Sequence, residues 1–140
     1  RAPAAELFEN DGTFPNSRLP LLIYAAAIAP GELTEGIEAL FAANGWPPAW
    51  RYTVYPFHHY HSTAHEVLGI AAGHATLMLG GPRGRTFEVR SGDVIVIPAG
   101  VAHRQLAKSA DFLVVGGYPI GAASRDLLEV SRASDLRRII

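Results

Sequence analysis

His59-Tyr60-His61-Ser62-Thr63-Ala64-His65-Glu66 is the stretch on which the reading of this chain turns. Two histidines one residue apart on a strand point to the same side, so His59 and His61 can present two ring nitrogens to one ion. Glu66 follows a short loop and can return a carboxylate from the next strand, and Gly73 closes the segment. A second run, Gly92-Asp93-Val94-Ile95-Val96-Ile97-Pro98-Ala99-Gly100-Val101-Ala102-His103, delivers another imidazole behind a turn shaped by Pro98 and Gly100. Three imidazoles and one carboxylate on strands make a good site for a divalent first-row metal.

The surroundings read as β structure. Arg51 to His61 alternates, which places Thr53, Tyr55, Phe57, His59 and His61 on one face. Glu66 to Ile70 and Ala75 to Leu79 are apolar runs, and Gly80-Gly81-Pro82-Arg83-Gly84 is a strong hairpin connection to Thr86–Val89. Val94 to Ile97 is apolar on both faces, as expected of a strand central to a two-layered structure. His103–Ala107 and Asp111–Tyr118 complete the set. Short strands at such spacing, with glycine-rich turns, predict a mainly β, single-domain barrel or jelly roll with its core at about residues 50–119.

Residues 1–49 are expected to form an N-terminal arm and a helix outside that barrel. The stretch to about Asn16 is polar and reads as a surface arm, and Leu21 to Tyr24 as a short buried strand. Thr34 to Asn44 carries Ile37, Leu40 and Phe41 at helical spacing, with Glu35 and Glu38 in the early turns and Gly45 as the stop. Residues 120–140 read as a tail, with either a helix or an extended segment from Arg125 onward.

Composition narrows the function classes. Twelve basic and thirteen acidic residues among 140 leave no excess of positive charge to hold a phosphate backbone, which argues against nucleic acid. Cysteine is absent, so neither disulfides nor thiolate ligands enter. The longest apolar stretch, near Leu19–Ala29, is interrupted by Pro20 and falls short of the roughly 18 residues that span a bilayer. The chain begins at Arg1, which leaves room for a trimmed start or a removed leader. A cytoplasmic protein without a membrane partner is the default expectation.

The paired pattern resembles the cupin family. Its first motif, a pair of histidines flanking one residue, then a glutamate and later a glycine, is matched by His59, His61, Glu66 and Gly73. Its second, a glycine, then Pro-x-Gly, then a histidine, is matched by Gly92, Pro98, Gly100 and His103. The asparagine often found four residues after the last histidine is Ala107 here. The longer run Pro56 to Gly69, with Val114-Val115-Gly116-Gly117-Tyr118-Pro119 downstream, resembles the YjlB-like bacterial cupins. The resemblance implies a small β-barrel holding a metal inside it on His59, His61, Glu66 and His103. It also implies a homodimer, with the region Arg1–Tyr24 expected to contribute to the interface.

Each site residue has a plainer alternative, since clustered histidines also arise at satisfied polar positions. The agreement of two motifs favours ligation by His59, His61 and His103, and by Glu66, which is also a candidate catalytic acid–base. His65 is the rival for the fourth position, because four imidazoles would suit zinc or nickel. Glu66 is preferred because its spacing to Gly73 fits the family pattern and because its charge suits iron or manganese. His65 is then expected outward or at the mouth. His58 and Tyr60 have the opposite parity and face away, and His74 is a surface or interface residue. Gln105 shares parity with His103, so pointing into the barrel and pointing away are equally open to it. Tyr55 and Phe57 read as core wall rather than as a platform for substrate.

These features point to an enzyme using one divalent transition metal (iron, manganese, nickel or zinc) on a small molecule. Dioxygenase, decarboxylase and isomerase chemistry share such a ligand set. A non-catalytic module that binds a small ligand or a metal is the alternative. The lack of any attached DNA-binding segment argues against a two-domain transcriptional sensor.

Overall fold

The computed structural model describes residues 2–122, and the expected tail from Arg125 onward lies outside them. Among the described residues, nine strands and one helix follow in the order β1 (Ala4–Phe8), β2 (Ser17–Tyr24), α1 (Leu33–Ala43), β3 (Pro48–Tyr52), β4 (Glu66–Ala72), β5 (His74–Leu79), β6 (Arg85–Arg90), β7 (Val94–Ile97), β8 (His103–Lys108) and β9 (Leu113–Gly117). They form a six-stranded sheet ordered β1-β2-β7-β4-β9-β3 and a three-stranded sheet ordered β6-β5-β8. Every pairing is antiparallel. This is the mainly β, jelly-roll architecture that the strand spacing implied. No helix among the described residues is long and apolar enough to cross a membrane.

Strand β4 shows how period-two alternation builds the layers. Leu68 and Ile70 point into the apolar core between the sheets, together with Leu77 and Leu79 of β5 and Ile95 and Ile97 of β7. Val67 and Ala71 point the other way and meet Ile37 and Phe41 of α1. Gly69 lies on that same outer face, where a Cβ would fall 2.4 Å from the Ile37 side chain, so its missing side chain is what lets the helix sit down on the sheet. Strand β7 is apolar on both faces for the same reason, with Ile95 and Ile97 inside and Val94 and Val96 under the helix. The helix is clamped to β3 by Glu38, whose carboxylate accepts from Arg51 Nε and Nη2 at 2.8 Å each.

Two expectations need correcting. The stretch to Asn16 is not a loose surface arm, since β1 within it pairs with β2, while the strand expected at Leu21–Tyr24 is present as part of β2 and pairs with β7 in the large sheet. Phe8 and Phe14 are buried, and Asn16 is fully enclosed. Asn16 holds a positive φ of 53°, which asparagine tolerates better than most residues. Its side chain donates to the carbonyls of Glu9 and Gly80 and accepts from the Ala102 N–H. These bonds tie the N-terminal segment to the chain just before His103. The second correction concerns Arg51 to His61, which is not one strand. Strand β3 ends at Tyr52, a bend follows at Pro56–Phe57, and beyond it an isolated bridge joins His59 to His103.

Candidate metal centre

Two sheets contribute to the site from opposite sides. His103 opens β8 in the small sheet, where it faces Leu79 of β5. The segment 55–61 runs antiparallel along the free side of β8. The His59 and His103 backbones exchange both hydrogen bonds, at 3.2 and 2.9 Å, while Gln105 N–H donates to the Tyr55 carbonyl and Gly100 N–H to the His61 carbonyl. Gly100 has a φ of 96°, which lets the chain turn between Pro98 and Val101 into β8. Glu66 arrives from the large sheet, as the first residue of β4.

The expected imidazoles do meet. One ring nitrogen from each of His59, His61 and His103 lies within 4.8 Å of the others. Glu66 spans the group, with Oε1 3.1 Å from His103 Nε2 and Oε2 3.5 Å from His61 Nε2. His59, His103 and Glu66 are buried, and His61 is half-buried.

Backbone carbonyls orient two of the rings. His59 Nδ1–H donates to the Phe57 carbonyl at 2.9 Å, and His103 Nδ1–H to the Val101 carbonyl at 3.1 Å. A carbonyl only accepts, so each ring carries a proton on Nδ1 and turns Nε2 toward the site. Burial, with the neighbouring His103 ring second, pushes the His59 imidazole down to about 3, so it is uncharged at neutral pH. Burial works to raise the Glu66 carboxyl, yet the hydrogen bonds from His103 and His61 outweigh it and hold the group well below the usual carboxylate range. The result is an enclosed carboxylate against the Nε2 atoms of two imidazoles. Acceptor meets acceptor unless a proton or a metal cation lies between them.

Above the cluster opens a cavity of about 570 Å³, within the range usual for small-molecule sites. Its walls include Trp50, Tyr55, Leu68 and Tyr118. Tyr55 is not core wall: it is 41% exposed at the rim. Its ring is stacked on Phe57 at 5.1 Å and meets His59 edge-on at 5.3 Å. Gln105 does not line the cavity among the described residues; its amide oxygen accepts from the Val54 N–H at 3.4 Å and steadies the rim from behind. His65 faces elsewhere, with Nδ1 accepting from the Ala99 N–H at 2.8 Å beside a separate surface depression. Tyr60 is buried against Phe14 and Ala102 on the far side of the histidine segment, His58 packs on Phe14, and His74 is exposed.

Trp50, Tyr52 and Tyr118 are among the wall residues missed in the sequence. The Tyr118 ring packs against His61 at 5.7 Å, and its hydroxyl accepts from Trp50 Nε1–H at 3.2 Å. The signal was Gly116-Gly117-Tyr118: a Cβ on Gly116 would fall 2.1 Å from the Trp50 ring, so this glycine makes room for an aromatic from β3.

Comparison with known proteins agrees with this architecture. Residues 56–124 match the sequence pattern of the cupin family. Over 115 residues the chain is 43% identical to the uncharacterized protein YjlB of Bacillus subtilis (strain 168), covering 81% of this chain and 68% of that one. Its fold is similar to that of an acireductone dioxygenase from Bacillus anthracis, at a TM-score of 0.50 and 14% identity, over 76% of this chain and 82% of that one. A DUF861 family protein from Thermotoga maritima is similar at a TM-score of 0.46 and 19% identity, over 70% of this chain and 98% of that one. A jelly roll built around both histidine motifs, with a relative at this level of identity over most of its length, belongs to the cupin superfamily.

Proposed function

We propose that this cupin holds one divalent first-row transition metal (iron, manganese, nickel or zinc) on His59, His61, His103 and Glu66, and is an enzyme acting on a small molecule in the cavity above it. The observation that carries the reading is the convergence of acceptors: Glu66 within 3.1 and 3.5 Å of two ring nitrogens inside a buried cluster of three imidazoles. A proton or a metal cation satisfies such contacts, and three imidazoles beside one carboxylate suit a first-row metal. The acireductone dioxygenase of similar fold has a cadmium ion in its active centre, which is in keeping with a metal here. When bound, the ion would supply a Lewis acid able to polarise a carbonyl or enolate oxygen.

The chain's own residues do the positioning. The Phe57 and Val101 carbonyls hold the His59 and His103 rings in one tautomer and one direction, as outer partners of ligating histidines commonly do. Glu66 offsets the charge of the ion and is the acid–base group beside the cavity. This ligand set is shared by dioxygenase, decarboxylase and isomerase chemistry. Elemental analysis of the purified protein is expected to give close to one divalent ion per chain, and His59→Ala and His103→Ala are each expected to lose it. Full occupancy in both variants would remove the assignment. Dioxygen uptake over enediols, catechols and small keto acids then separates turnover from simple binding.

The same reading includes a homodimer in the cytoplasm. Strand β1 is an edge of the large sheet, and Leu7 and Leu19 are exposed on the β1–β2 pair; an open edge of this kind favours pairing with a second copy. Light scattering that gives a monomer, unchanged by Leu7→Glu, would exclude it.

A further inference from the structure

The cavity walls carry a chemistry that the metal reading does not use. Trp50, Tyr52, Tyr55 and Tyr118 all line it. Tyr52 and Tyr55 are 58% and 41% exposed, although aromatics of this size usually pack away. From the rim inward, Tyr52 lies 6.1 Å from Tyr55, and Tyr55 lies 5.3 Å from the His59 ring, so the row of rings leads directly to the cluster. The Trp50 N–H is engaged by the Tyr118 hydroxyl, which leaves the indole to present its ring.

Charge is lacking on these walls. Outside the cluster, the one charged residue among the described lining is Arg51, and its guanidinium is held in a two-point ion pair by Glu38. A phosphate or a second carboxylate on the ligand would find, away from the cluster, only the Arg51 guanidinium already paired with Glu38, and an ammonium would find no carboxylate among the described lining.

We infer that the cavity takes an uncharged, planar aromatic molecule, with its ring against Tyr55 and Trp50 and an oxygen turned toward His59, His61, His103 and Glu66. The direction of that oxygen rests on the metal reading above, whereas the ring preference rests on the walls. Ring stacking is worth about 0.5–1.5 kcal/mol per aromatic pair beyond area burial, so two wall rings separate an aromatic ligand from its saturated counterpart by about tenfold or more.

The test is calorimetric titration of the purified protein with three probes, with metal content measured on the same samples. The probes are catechol, cis-1,2-cyclohexanediol (the same two oxygens without the aromatic ring) and malonate (an anion of similar size). Catechol is expected to bind at least tenfold more tightly than either of the others. Tyr55→Ala is expected to lower that affinity about two- to tenfold, as one aromatic pair of about 0.5–1.5 kcal/mol implies, with metal content unchanged, and Tyr55→Phe, which keeps the ring, to restore it. Equal binding of catechol and the saturated diol, tighter binding of malonate, or a Tyr55→Ala variant with undiminished affinity would overturn the inference. A metal-free protein that still prefers the ring would support this inference and remove the metal reading. A metal-loaded protein without the preference would do the reverse.

Discussion

Glu66 and His65 are adjacent, and strand alternation allows only one of them to face the cavity. The chain turns Glu66 inward, 2% exposed and against two imidazoles, while His65 accepts a backbone hydrogen bond from Ala99 on the other side. Two variants measured side by side therefore separate the roles. Glu66→Gln keeps the shape, removes the charge and places an amide donor or acceptor among ring nitrogens; it is expected to weaken metal retention by tenfold or more. His65→Ala is expected to leave metal content unchanged and to cost about 1 kcal/mol of stability through one lost hydrogen bond. Elemental analysis and urea denaturation read the two effects, and the opposite result would make His65 the fourth ligand. His59, His61, Glu66 and His103 could be found in the sequence because their spacing is set by strand period and a turn, both local properties. Tyr118 and the rim position of Tyr55 could not. They depend on which strands lie side by side, and on a bend at Pro56–Phe57 that the alternating pattern conceals.

At the scale of elements, β4 through β9 were readable because each carries its own hydrophobic period and is bounded by glycine-rich turns. Strand β1 was not, since Ala4–Phe8 is short and mostly exposed and its pairing with β2 is fixed by tertiary contacts. Asn16 is the clearest of these. It reads as an ordinary loop asparagine, yet it is 0% exposed and bonds to Glu9, Gly80 and Ala102. Asn16→Ala leaves buried backbone groups without partners, at about 1–3 kcal/mol each when fully unmet. Partial relaxation brings the expected total to about 2–4 kcal/mol. Because Ala102 precedes His103, the variant is also expected to weaken metal retention measurably; a normal denaturation midpoint with normal metal content would show that the anchor carries no weight. Helix docking has a comparable dependence on Gly69. Gly69→Ala would push a methyl to 2.4 Å from Ile37 and is expected to cost about 1–3 kcal/mol as an overpacked contact, read by the same denaturation.

For the whole molecule, the site sits where the two sheets are held together, so its charge state reaches the stability of the fold. His59, His103 and Glu66 are enclosed among side chains that also close the core. A ligand that binds only the folded chain adds stability by mass action, about 4 kcal/mol when free metal stands a thousandfold above its Kd. Chelation is thus expected to lower the thermal midpoint by about 10 °C or more. The stripped protein should also respond to acid in a defined direction. The His59 ring is held at about 3 in the folded chain, whereas an unfolded histidine takes up its proton near 6.5. As pH falls below about 7, the unfolded chain therefore binds more protons than the folded one, and stability declines progressively toward pH 3. The lowered Glu66 carboxyl acts in the same direction once pH passes below the ordinary carboxylate range. Raising the pH above 7 removes nothing on this account, since both groups are already in their folded charge states. The measurement is thermal unfolding of the chelated protein between pH 4 and 8, beside His59→Leu, which cannot take up that proton. The chelated protein is expected to lose stability on the acid side, and the leucine variant to lose less of it over the upper part of that range. Identical acid slopes in the two proteins would show that the enclosed imidazole does not govern the response.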